Sequence, residues 1–312
     1  KGMAMGAADV VPGVSGGTIA FITGIYEELI SSINSFNFGL FKTLKNEGIK
    51  GVWKAINGNF LVALFTGIFI SIFSLAKAIT YVLGSNPILI WAFFFGLILA
   101  SIWLMLKQID KWNIWNVLGI LIGTGIVFYI TTIQTTTSAT SNWYILLSGM
   151  VAICAMILPG ISGSFILVLM GAYQVILAAV SDRNITTLAI FASGCVLGLL
   201  AFSKLLNYLF KNFKNLTIAI LTGFLIGSLN KVWPWKHVTS IFLKHKGEAN
   251  EEAIPIAESN VLPNDFDVYL RKGEKIIGYV PQDPQLLYAI LLAILGIVLI
   301  IALERFGNKS KS

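Results

Sequence analysis

The chain has 312 residues, of which 56% are hydrophobic and 12% charged, about half the charged share of a soluble domain. A soluble fold this apolar would need a core larger than its length can enclose. The net charge of +7 therefore reads first as a signal of membrane sidedness, and nucleic acid is not an expected partner.

In chain order, an apolar stretch over 3–33 is interrupted at Pro12-Gly13-Val14-Ser15-Gly16-Gly17. Residues 34–59 mix Phe36, Phe38, Phe41 and Trp53 with four lysines, the composition of an amphipathic segment lying on a membrane surface. Three spanning helices are predicted at 60–83, 88–106 and 115–133. A second interrupted stretch, 143–180, breaks at Pro159-Gly160-Ile161-Ser162-Gly163-Ser164. As one helix it would be roughly 57 Å long, far beyond a bilayer's roughly 30 Å hydrocarbon core, so two arms folded back as a re-entrant hairpin fit better. Three more spans follow at 187–210, 216–233 and 285–303, with a polar segment at 234–283 that shows β character around Val268–Val280. Cys154 and Cys195 lie in apolar segments, and His237 and His245 share the polar one. Neither pair makes a disulfide framework or a metal-ligand spacing. No metal and no cofactor are expected.

Charge sets the sidedness. With both termini, 34–59, 107–114 and 211–215 placed inside, the inner face gathers Lys42, Lys45, Lys107, Lys211 and Arg305 among other basic residues. The short outer loops 84–87, 134–142 and 181–186 hold only Arg183. The segment 234–283 then lies outside.

The two breaks belong to one repeat. PGVSGGTIAFITGIYEELI at 12–30 aligns with PGISGSFILVLMGAYQVIL at 159–177, matching Ser15, Gly16, Gly24 and Tyr26 with Ser162, Gly163, Gly171 and Tyr173. Further on, Gly67, Lys77, Gly96 and Ser101 correspond to Gly194, Lys204, Gly223 and Ser228. The predicted fold is thus all-α and integral to the membrane, with two repeats at 1–135 and 143–305. Each is a hairpin plus three spanning helices. Three is odd, so the second repeat enters from the opposite face, a recurring transporter design.

Helices predicted at 17–33 and 164–180 begin at the hairpin tips, where backbone N–H groups are unpaired. With Ser15, Gly16, Gly17 and Thr18 at one tip and Ser162, Gly163 and Ser164 at the other, they form a candidate anion site for phosphate or carboxylate. Lys77 and Lys204 stand in apolar helices, where a charge costs about 2.5–3.5 kcal/mol. They are expected to face the tips and hold phosphate, although snorkelling to the interface would also explain them. Asp9, Glu27 and Glu28 have no carboxylate counterpart in the second repeat, which suits proton coupling or gating. Arg183, at the outer face, could guide an anionic headgroup.

The run GAADVVPGVSGGTIAFITGIYEELI at Gly6–Ile30, with its echo LPGISGSFILVLMGAYQ at Leu158–Gln174, resembles the bacterial polyprenyl-phosphate transporter family (PopT). The likeness covers the chain apart from 234–283, which reads as an insertion. It implies a flippase of the bacterial inner membrane. Undecaprenyl phosphate, the carrier lipid of cell-wall synthesis, would return from the outer to the inner leaflet, its headgroup touching Asp9 and the residues of both tips. Two other readings are weighed, the first of which uses the same tips. A small-anion transporter or channel would have a closed aqueous pore where a lipid carrier needs a lateral opening. A membrane lipid phosphatase would want a histidine nucleophile, and both histidines lie outside the repeats.

Overall fold

The computed structural model describes residues 1–9, 15–37, 39–132, 141–244 and 252–309. The first interrupted stretch forms α1 (Gly2–Asp9), α2 (Gly16–Ile22) and α3 (Tyr26–Asn34), followed by α4 (Gly39–Ala55), which kinks at Gly48. Three long helices follow, α5 (Gly58–Ser85), α6 (Pro87–Lys107) and α7 (Ile114–Thr132). The second stretch forms α8 (Asn142–Ile157), α9 (Gly163–Leu169) and α10 (Tyr173–Ser181), and leads into α11 (Ile185–Asn212) and α12 (Lys214–Ser228). Local chemistry sets several starts. Pro87 opens α6 with a φ already suited to a first turn, Ser141 accepts from the Tyr144 N–H to cap α8, and Asn184 caps α11 through Thr187. By length and apolarity α6, α7 and α11 qualify as membrane spans.

The helices predicted at 17–33 and 164–180 are each broken in two. Gly24 and Gly171 adopt φ of +68° and +64°. Around the first, Ile25 N–H donates to Ala20 O and Gly24 N–H to Phe21 O. Around the second, Ala172 donates to Leu167 O and Gly171 to Val168 O. Both are the Schellman closure of a helix end, which needs a residue free to turn left-handed.

The span predicted at 216–233 ends early, at Ser228. Asn230 turns the chain out of the helix. Its side chain donates to Thr131 Oγ1 at 2.9 Å, while its own oxygens accept from Asn260. Beyond it the polar segment forms two antiparallel hairpins, β1 (Lys236–Lys244) with β2 (Glu252–Asn260) and β3 (Asp267–Lys272) with β4 (Lys275–Pro281), before α13 (Leu286–Lys309). The second hairpin covers the span where β character was expected, and the first is additional. Trp235, with Phe266, Ile88, Ala92 and Ala289, seats these hairpins on the ends of α6 and α13.

The core is shared between the two sequence halves. Ile19, Phe21, Tyr26 and Ile30 pack with Ile98, Met105, Leu206, Phe210, Leu221 and Leu225. Helix crossings use small residues to bring backbones together. In α1 on α5 and α8 on α11, an added Cβ on Gly67 or Gly194 would overlap the facing backbone. The same is true of Gly96 where α6 meets α13 and of Gly223 where α12 meets α7. The first two pairings lie within a half and the last two join the halves.

Candidate functional site

The ends of α1 and α8 bring the two breaks together. Ser15 has extended backbone (φ −122°, ψ 134°), and its Oγ caps α2 by accepting from the Gly17 N–H at 3.1 Å. The same hydroxyl donates to the carbonyl of Met156, at the end of α8, at 2.8 Å. Thr18 Oγ1 accepts the Gly160 N–H at 3.0 Å. Gly17 lies so close to the Ile157 carbonyl that a Cβ there would overlap it. Ser15 and Thr18 are each only 1% exposed, so these bonds are made away from water, where a broken one leaves a costly orphan.

Asp9, the last residue of α1, lies against the start of α2. Its Oδ1 accepts the Gly16 N–H at 2.6 Å, so in this structure a carboxylate stands where a ligand phosphate is expected. Its counterpart in the repeat, Met156, offers only the carbonyl that Ser15 engages. The tips therefore differ. Ser162 has the same extended backbone as Ser15 (φ −99°, ψ 133°) but makes no cap, and its hydroxyl lies 2.8 Å from that of Ser164. Pro12 and Gly13 of the first break lie outside the described residues.

The structure gathers Asp9, Ser15, Gly16, Gly17 and Thr18 with the chain leading to Ser162, Gly163 and Ser164, and gives the other candidates different neighbours. Lys204, on α11, is exposed. It borders an apolar groove of about 430 Å³ lined by Phe36, Leu40, Phe41, Leu44, Ile49 and Val52 from the α3–α4 region. The side chain of Lys77 lies outside what the structure describes. Glu27 pairs with Lys214 at 3.0 Å with both side chains more than half exposed, a geometry worth little in stability. Glu28 accepts from Asn57 Nδ2 at 2.9 Å. Arg183 is exposed in the α10–α11 turn with φ +52°.

The lysine that reaches the second tip is one the sequence reading passed over. Lys231, in the turn after α12, lines a small cavity with Gly160, Ser162, Phe165 and Thr131, its Nζ 5.0 Å from the centre of the Phe165 ring. A span over 216–233 would carry it near the outer end of that helix. The early stop at Ser228 turns it back.

The sequence model of a family described as undecaprenyl phosphate translocase-like matches residues 5–250. The chain is 45% identical over 309 residues to a protein of Vibrio cholerae serotype O1 named polyprenyl-phosphate transporter, covering 99% of this chain and 96% of that one. A Staphylococcus aureus protein of the same name is 33% identical over 254 residues, or 75% of this chain and 84% of that one. The Vibrio match is long enough to run through 234–283, so that segment is not peculiar to this chain. No solved structure matches.

Proposed function

Because the chain belongs to the undecaprenyl phosphate translocase-like family, we propose that it carries a polyprenyl phosphate across the bacterial cytoplasmic membrane. In this reading undecaprenyl phosphate moves from the outer to the inner leaflet, with the headgroup passing between the hairpin tips and the prenyl chain staying in lipid. The observation that carries it is the meeting of the tips through Ser15 and Thr18 beside a carboxylate already seated at the Gly16 N–H. A phosphate replacing Asp9 finds the Gly16 N–H, gains the Ser15 hydroxyl and the Gly17 N–H once the tips part and Ser15 releases Met156 O and Gly17, and then meets Thr18, Ser162, Gly163 and Ser164. Protonation of Asp9 would release the Gly16 donor, and this couples proton uptake to headgroup binding.

The rest of the path follows from the two repeats taken as inverted. Pairings within halves and between halves recur at matched glycines, as two interlocked units require. Cytoplasmic termini agree with the Glu27–Lys214 contact, since the positive-inside assignment puts both ends of that pair at the inner face. Lys204, beside the apolar groove, meets the phosphate on the inner side while the groove accepts part of the tail, and Lys77 is its counterpart in the first repeat. Glu27, Glu28 and Arg183 act at the rims. A groove this apolar favours a lipid over a small inorganic anion. Depletion of the protein in cells that depend on it should raise the undecaprenyl phosphate exposed at the cell surface, and an unchanged surface pool would overturn the proposal.

A further inference from the structure

One cluster of charged side chains beyond the tips is built like a binding site. Lys231, after α12, and Lys236, at the start of β1, approach the same carboxylate oxygen. Glu258 Oε2 on β2 lies 3.2 Å from one Nζ and 3.4 Å from the other. The Lys236 side chain is 9% exposed and neither of the others exceeds a quarter. Among the described residues, two cations share this one anion, which leaves a surplus positive charge withdrawn from water, costly unless a further anion pairs with it. The titration of the lysine carries that imbalance. Burial pulls Lys236 down to about 8, with the Glu258 charge opposing and the Lys231 charge adding to the fall. Burial alone would raise Glu258, but the two lysines outweigh it and hold the carboxyl below its usual range.

One member of the cluster, Lys231, also borders the second tip. Lys231 lines the cavity that contains Ser162 and Gly160, and the Ser162 hydroxyl, unlike that of Ser15, is not spent on capping its helix. A donor and a surplus cation thus share one small space.

We propose that Lys231 and Lys236 form a receiving site for a phosphomonoester at the mouth of the second tip, with Glu258 as the place-holding anion that the phosphate displaces. A phosphomonoester carries roughly −1.5 to −2 charge at neutral pH. Once Glu258 swings out, two lysines face a near-dianion and the charges balance. Ser162 is then the next donor inward. This deepens the transport reading and rests on it for the leaflet from which the headgroup arrives. A lipid headgroup and free phosphate present the same chemistry to the two lysines.

The test is binding of farnesyl phosphate, and separately of inorganic phosphate, to the full chain in nanodiscs. Glu258→Gln removes the competing anion and should tighten farnesyl phosphate binding by about tenfold, while Lys231→Gln and Lys236→Gln should each weaken it by about tenfold. A merely structural triad gives the opposite sign for Glu258→Gln, because loss of the carboxylate leaves two lysines unpaired. Lys236→Gln keeps a balanced Lys231–Glu258 pair and so preserves the fold, and wild-type affinity in that variant overturns the proposal. Inorganic phosphate that displaces the lipid identifies the headgroup as the part recognised. Lysine-dependent lipid binding that phosphate does not disturb identifies the lipid as the ligand. If wild-type protein binds farnesyl phosphate and all three variants bind it equally, this inference fails and the transport reading stands. If wild-type protein binds no prenyl phosphate, both fall.

Discussion

The two tip serines, equivalent in the repeat, should behave differently when truncated. In Ser15→Ala the protein loses two hydrogen bonds, to Met156 O at 2.8 Å and from Gly17 N–H at 3.1 Å, at a position only 1% exposed. Each bond contributes about 0.5–1.5 kcal/mol, and a buried group left without a partner costs about 1–3 kcal/mol. A total near 2 kcal/mol makes separation of the tips about thirtyfold more frequent. Among the described residues, Ser162→Ala removes one side-chain contact, that with the exposed Ser164, which water replaces at a cost of about 0.5 kcal/mol or less. Hydrogen exchange at the Gly160 amide reads this directly, because its acceptor is Thr18 on the opposite tip. Exchange through local opening follows the free energy of that opening. It should speed up by about thirtyfold in Ser15→Ala and by no more than about twofold in Ser162→Ala. Equal acceleration in the two variants would refute the asymmetric tip.

The remaining predictions concern sidedness, charge and space. Cysteines at Lys45 and Lys275, both exposed, should react with an impermeant reagent from opposite faces of the membrane, and labelling from one face sinks the assigned topology. Lys236 titrates near 8 in the fold against 10.5 in an unfolded chain. Between those values the unfolded state binds more protons, so fold stability should rise with pH. Phosphate binding, which needs the ammonium, should fall over the same interval, and Lys236→Arg should abolish that fall. The groups around Lys236 in this test are Lys231 and Glu258, with the His237–Asp267 pair joining β1 to β3 beside it. Gly17→Ala places a methyl against the Ile157 carbonyl. It should cost about 1–3 kcal/mol as overpacking, holding the tips apart and slowing transport while the protein still inserts. Transport at the wild-type rate would show that the tips need not meet.

The membrane character and the long helices could be read from composition and apolar run length, because lipid demands both. The repeat placed Ser15 opposite Ser162 in the alignment, and the structure brings their two loops together. The same alignment holds a second signal. Gly24 and Gly171 are matched repeat positions, and a glycine seven or eight residues into a helix followed by an apolar residue is also a Schellman stop, as both are. Asp9 was singled out as a deep carboxylate, but its partner, the Gly16 N–H seven residues on, depends on a backbone turn that spacing alone does not define. Lys204 and Lys231 show the other limit. A lysine's distance from the end of an apolar run gives its depth. Which neighbour it meets is decided by where the helix stops, and that stop depends on Asn230 binding Thr131 and Asn260, residues far apart in the chain.

Reconstitution puts the central claim to its most direct test. Liposomes with a fluorescent short-chain polyprenyl phosphate in both leaflets, treated with a membrane-impermeant reagent that modifies the phosphate, report the rate at which inner headgroups reach the outside. With the protein present the protected inner fraction should be consumed at a protein-dependent rate, slowed by Gly17→Ala. If it persists as in protein-free liposomes, with the protein folded and inserted, the chain does not move the carrier lipid and the account is contradicted.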